Sequence, residues 1–147
     1  MNTETLTAEE IALAAVKAVE DRDFDTLDQL YHPDVRFEWP PGLPYSGTFQ
    51  GASVDEMTER FAAVWEPLQP SDNEKRMDAT IVASSGNTVV VEYTWRAVDR
   101  RGHRFETSTL ARYEVRDGRF AGARMYYSDH AGLLAFLRDA GVELPAR

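Results

Sequence analysis

Asp129 is the carboxylate best placed to move a proton. It follows Tyr126-Tyr127-Ser128 at the end of an apolar run of period two and shares strand parity with Met125 and Tyr127. A regular continuation of that strand would carry its carboxylate to the same side as those two side chains. Aromatic neighbours that exclude water raise a carboxylate's pKa toward neutrality, as proton transfer at neutral pH requires. Asp129 also stands where a helix begins, and an Asp there satisfies free backbone amides, so the cap and the acid/base group both stay open. Tyr93, Tyr113 and Tyr127 are the candidate donors to a developing oxyanion; one preorganised donor is worth roughly 3 kcal/mol. With Trp39, Trp95 and Met125 they would form flat apolar walls carrying hydroxyl and indole donors, suited to a ring-shaped ligand. Each of these taken singly reads as ordinary core; only the cluster points to a pocket.

Other chemistries fail on residue type or spacing. His32, His103 and His130 are too far apart in sequence for helical metal-ligand spacing, so no metal site is expected. The run Asp21-Arg22-Asp23-Phe24-Asp25 imitates a calcium loop, but Thr26 and His32 occupy the positions that need Gly and Glu. Ser128, Asp129 and His130 have the residue types of a hydrolytic triad, yet neighbours at a strand end cannot face one another in those roles. No phosphate-cradling glycine loop or dinucleotide fingerprint occurs, so no cofactor is expected. The chain has no Cys, which removes thiolate chemistry and disulfides. A net charge of −9 disfavours nucleic acid and anionic membrane surfaces as partners. Met1–Glu20 lacks the basic start and apolar run of a secretion signal, and nothing reaches transmembrane length, so a cytoplasmic protein is expected.

The elements that must position these residues follow from periodicity. At 147 residues with 43% apolar side chains, one domain over residues 1–147 is expected, its core spanning about 7–141. Thr7-Ala8-Glu9-Glu10 has capping-box spacing, flanked by Leu6 and Ile11 as a staple, and opens a helix with Ile11, Ala15 and Val19 on one face. Asp25 is the expected cap of a shorter helix ending near Pro33. Val35-Arg36-Phe37-Glu38-Trp39 alternates as a strand with Trp39 inward, and Pro40–Gly51 reads as a loop. Ser53 and Glu56 repeat the capping-box spacing before a second long helix that Pro67 interrupts. Four antiparallel strands are expected after Met77, with turns at 84–87, 99–102 and Asp117-Gly118. Their inward sets are Val89, Val91, Tyr93 and Trp95; Thr107, Thr109, Ala111, Tyr113 and Val115; and Ala121, Ala123, Met125 and Tyr127. A last helix carries Leu133, Leu134 and Leu137 and stops at Gly141.

This order of elements resembles the nuclear-transport-factor-two-like fold, in its SnoaL-like and ketosteroid-isomerase-like branch. The resemblance is carried by Asp23-Phe24-Asp25, Tyr31-His32-Pro33-Asp34-Val35, the stretch Gly42 to Gly51, Arg116-Asp117-Gly118-Arg119-Phe120 and Tyr126-Tyr127-Ser128-Asp129. It implies an α+β, cystatin-like barrel in which a strongly curved, mixed, mostly antiparallel sheet wraps helices into a cone-shaped pocket. It does not imply one chemistry, since the fold hosts several enzymes and binding proteins. Where the resemblance would put a ketosteroid isomerase's general base and two oxyanion donors, this chain has Trp39 and, at about the corresponding places, Ala15 and Ala111. Where limonene-type epoxide hydrolases have an Asp after an Arg, Met125 follows Arg124.

Two functional expectations result. One is a pocket for a small, largely apolar cyclic molecule, lined by Trp39, Tyr93, Trp95, Tyr113, Met125 and Tyr127, with cofactor-free isomerase, cyclase or dehydratase chemistry at Asp129. The other is a non-catalytic ligand-binding or dimerisation module. Strand alternation puts Glu92, Thr94, Arg96, Leu110, Arg112, Arg124 and Tyr126 on the opposite sheet face, and the resemblance implies a homodimer through it.

Overall fold

The computed structural model describes residues 6–145, so the start of the segment read as lacking a secretion signal, Met1–Thr5, lies outside the described residues. Helix α1 (Ala8–Glu20) begins at the expected capping box: Thr7 accepts from the Glu10 amide while Glu10 accepts from the Thr7 amide. Of the two expected staple residues, Ile11 is buried and Leu6 is 44% exposed. Helix α2 (Phe24–Leu30) is capped by Asp23 and not by Asp25. The chain leaves α1 through a left-handed Arg22, and that turn brings the Asp23 carboxylate onto the Thr26 amide, 3.1 Å away.

Strand β1 (Tyr31–Trp39) buries Val35 and Phe37 and half-buries Trp39. The Pro/Gly-rich stretch after it contains a strand missed in the sequence, β2 (Gly47–Gln50), paired antiparallel with β1. Only Phe49 of its four residues is buried, too short a pattern to separate from a loop. Helix α3 (Ser53–Trp65) starts without the expected capping box. Ser53 is already helical, and its hydroxyl bonds the Gln50 backbone on both sides, at 2.8 and 2.9 Å. Glu56 is therefore left to pair with Arg60. Pro67 ends regular helix in a 3₁₀ turn (Glu66–Leu68), and a short α4 (Asp72–Lys75) follows.

The four later strands are β3 (Thr80–Ser85), β4 (Thr88–Val98), β5 (Arg104–Arg116) and β6 (Arg119–Tyr127), before α5 (His130–Asp139). Both residues of the Asp117-Gly118 turn have positive φ, 55° and 70°, matching the twist of the strands they join. Leu110 faces out and Ala111 in, so the expected phase of β5 holds. On β6 one inward residue is corrected: Phe120 is buried, not Ala121. A bulge opposite Glu114 and Val115 inserts one residue and flips the phase at the strand's start.

The six strands form one curved, open sheet in the order β2-β1-β6-β5-β4-β3, antiparallel except for β1 beside β6. Register shifts in β1, β3 and β5–β6 bend it. Helix α1 packs against β4, β5 and β6, and α3 packs against β1 and β2, so the apolar stripes of both long helices close the concave face. The α+β expectation is met. Among the described residues no helix is long and apolar enough to cross a membrane.

Candidate functional site

Between the helices and the concave face lies a cavity of about 90 Å³. Five of the six expected ligand-binding residues line it: Trp39 from β1, Tyr93 and Trp95 from β4, Tyr113 from β5 and Met125 from β6. They converge because inward positions on neighbouring strands lie in register; Tyr113 faces Ala123 across β5–β6, and Ala111 faces Met125. The α3 stripe supplies Met57, Phe61 and Trp65 as the opposite wall. Phe61 joins the two walls, its ring 5.5 Å from both Trp39 and Trp95, and Trp65 meets Trp95 edge-on at 5.4 Å. These distances fall within the range of favourable ring pairs.

Tyr127 does not line the cavity. It lies behind the wall, where its hydroxyl meets that of Tyr45 at 3.0 Å, and Tyr45 accepts from the Trp65 indole N–H at 2.9 Å. Tyr45 comes from the segment read as a plain loop, yet it is fully buried. The Trp39 indole N–H is aimed at the Met57 sulfur, 3.0 Å away. By contrast, Trp95 Nε1 and Thr109 Oγ1 are buried with no hydrogen-bond partner among the described residues. The interior thus keeps polar capacity that its own packing leaves unused.

Asp129 is also outside the cavity. Its carboxylate accepts from the Gly132 amide at 2.9 Å and caps α5, while its own amide donates to Thr107 Oγ1. The strand ends at Tyr127 before the parity argument can act, and the backbone turns into the cap, so the carboxylate stays exposed. Of the two roles open for Asp129, the geometry is that of the cap. His32 bonds Asp117 in the turn between β5 and β6, and His130 bonds the Pro41 carbonyl.

The charged groups at the cavity are Arg22 and Glu66, neither of which the sequence singled out as a site residue. Arg22 Nε lies 3.1 Å from Glu66, Nη1 donates to the Val19 carbonyl, and Nη2 donates to the buried Gln69 amide oxygen. Phe24 lines the same space although it is 43% exposed, and the Glu66 side chain is 49% exposed, so the space meets solvent at these residues, its mouth.

Electrostatics limit what the lining can do. Burial pushes the phenols of Tyr31, Tyr93 and Tyr113 well up, with nearby carboxylates or other phenols adding to the effect. They therefore stay neutral and act as hydrogen-bond donors, not as bases. Among the described residues no group of three or more His, Cys, Asp or Glu could hold a metal ion.

A family model for the SnoaL-like domain matches residues 12–123. No curated protein sequence matches the chain. Solved structures share its fold. TerC, co-crystallised with polyporic acid, superposes with a TM-score of 0.75 at 22% identity over 89% of this chain and 98% of that one. A cystatin-like protein of unknown function from Xanthomonas campestris gives 0.74 at 21% identity, over 90% and 98%. An NTF2-like protein of unknown function from Burkholderia pseudomallei gives 0.74 at 20% identity, over 88% and 96%. At these identities the likeness is one of fold.

Proposed function

The chain belongs to the SnoaL-like domain family, and from that membership we propose that its cavity binds a small, flat, largely apolar ring compound. One observation carries the reading: all three tryptophans of the chain, Trp39, Trp65 and Trp95, line a single cavity together with Tyr31, Tyr93 and Tyr113. Stacked and edge-on faces with a few donors hold planar ligands well. The co-crystallisation of TerC with polyporic acid supports the reading as an analogy between similar folds.

The space of about 90 Å³ is smaller than the roughly 150 Å³ apolar cavity that admits benzene. A ligand therefore enters by moving side chains. Met57, Met77 and Met125 line three sides, and an unbranched thioether re-packs at little cost.

Binding without proton transfer is the form of this reading that the lining favours. The tyrosines are neutral donors, Glu66 is paired with Arg22, and Asp129 is engaged as a cap. Where the resemblance would put catalytic groups, Trp39 and Ala15 line the cavity instead. Titration with 2-naphthol, followed by tryptophan emission, tests the reading. A saturable change is expected; emission that stays flat up to the solubility limit would overturn it.

A homodimer through the outer sheet face accompanies this proposal. Leu110 and Tyr126, 36% and 46% exposed, face each other across β5–β6, with Arg112 and Arg124 as the next pair. Together with Glu92, Thr94 and Arg96 they form an apolar pair flanked by mixed charge, which a second copy can complement. Light scattering at micromolar concentration should give twice the chain mass; a monomer mass would refute the dimer.

A further inference from the structure

Helices α1 and α5 end in the same way, except for the residue at the turn. After α5, Gly141 takes a φ of 87°, its amide bonding the Arg138 carbonyl and the Val142 amide bonding that of Leu137. After α1, the Arg22 amide bonds the Val19 carbonyl and the Asp23 amide bonds that of Ala18, with φ 55° at Arg22. This left-handed position is one that glycine fills without strain and a long side chain does not. Arg22 is held there by its side chain's contacts.

Arg22 borders two spaces. Arg22 lines the aromatic cavity and also an outer cleft whose other charged members include Glu20, Asp21, Asp72, Lys75 and Arg76. Gln69, 1% exposed, clamps Nη2 through its amide oxygen while its own Nε2 donates to the Arg96 carbonyl at 2.8 Å. A guanidinium has five N–H donors; the contacts to Glu66, Val19 and Gln69 use three, leaving two without a partner among the described residues. Glu66 touches only Nε, and its side chain is 49% exposed, so water can take it back at little cost.

We propose that Arg22 determines specificity, selecting ring compounds that carry an acidic oxygen, such as an aryl carboxylate or an acidic enol, with that oxygen at the mouth and the ring inside. The proposal rests on the ring-binding reading above. The ligand's anion exchanges with Glu66 and gains the free donors, trading a single contact for a forked one. Local charge is in balance despite the net −9: Arg22, Lys75 and Arg76, with Lys17 paired to Asp21, stand against Glu20, Asp21, Asp72 and Glu66 at the mouth and cleft. Of those carboxylates, Glu20 is engaged by the Met77 amide and Asp21 by Lys17.

The test compares 2-naphthoate with 2-naphthamide at neutral pH, read by tryptophan emission. The acid should bind about tenfold tighter than the amide in the natural chain. The preference should vanish in Arg22→Gly, chosen because glycine suits the backbone there, and grow in Glu66→Gln, which frees the guanidinium. An amide that binds as well as the acid, or a preference that survives in folded Arg22→Gly, overturns the assignment. Should Arg22→Gly fail to give a cooperative melt, Glu66→Gln decides, and an unchanged or smaller preference there overturns it. If 2-naphthol binds and the acid is not favoured, Arg22 alone is refuted. If none of the three compounds binds, the cavity reading itself fails.

Discussion

Replacing Tyr45 by Phe removes one oxygen on which two buried groups depend. The Trp65 indole N–H donates to it at 2.9 Å and the Tyr127 hydroxyl meets it at 3.0 Å. Tyr45 and Trp65 are 0% and 1% exposed, so water cannot replace the lost partner without local opening. A buried polar group left unpaired costs about 1–3 kcal/mol. Two such groups put the loss at about 3 kcal/mol, because the Tyr127 hydroxyl can rotate toward another acceptor and recover part. With a urea slope of about 2 kcal/mol per molar, the unfolding midpoint should fall by about 1.5 M. Tyr127→Phe should cost less, since Tyr45 then still satisfies Trp65. The double variant should cost less than the sum of the singles, as expected for groups in one network. A Tyr45→Phe midpoint within about 0.2 M of the natural chain, or strictly additive costs, would refute the view that this hydroxyl chain pins the 40–46 segment to α3.

Other outcomes follow from the same structure. Asp129→Ala should lose about 1 kcal/mol of stability with its cap, Asp129→Asn should be near neutral, and neither should change the affinity for 2-naphthol. A shift in affinity with Asp129→Asn would return that carboxylate to the site. Ala62→Leu places a larger side chain in the cavity; calorimetry should show binding weakened tenfold or more with the melting temperature kept or raised. Glu74 accepts from the Ser71 hydroxyl, which, helped by Asn73, the Ser71 amide and Arg104, outweighs burial and holds its carboxyl down to about 2 from 4.5. A depressed carboxylate stabilises the fold above its unfolded pKa, and that contribution is lost as pH falls from 4.5 through 2. Acid unfolding in that window should be less steep for Glu74→Gln, and an unaltered pH profile would show that Glu74 is not held this way.

Much of the frame was legible in the sequence because each signal was local. The Thr7–Glu10 box, the β4 alternation and the Asp117-Gly118 turn each combine residue type and spacing within a few positions. The aromatic wall was legible for the same reason, since parity along a strand decides which face a ring takes. The rest depended on contacts between distant segments. Nothing near Phe120 announces the bulge that turns it inward in place of Ala121, because the bulge belongs to the β5–β6 pair. Strand β2 exists through β1, and its four residues carry no period of their own. Which of its two open roles Asp129 takes turns on where the strand ends, two residues before it, and no local pattern marks that end. Arg22 and Glu66, 44 positions apart, meet only when the end of α1 packs beside the 3₁₀ turn. Arg22 stands inside a run that imitates a calcium loop, and its left-handed backbone emerges only in the fold.

The central claim is that rings from separate strands and from α3 enclose a space that opens to a planar guest. Crystals of the full chain soaked with 2-naphthol test it most directly. Ring density between Trp39, Phe61 and Trp95, with Met57 or Met125 in a new rotamer, is the expected result. A cavity unchanged in shape and empty of ring density at saturating compound, with the tryptophans packed as before, would contradict it.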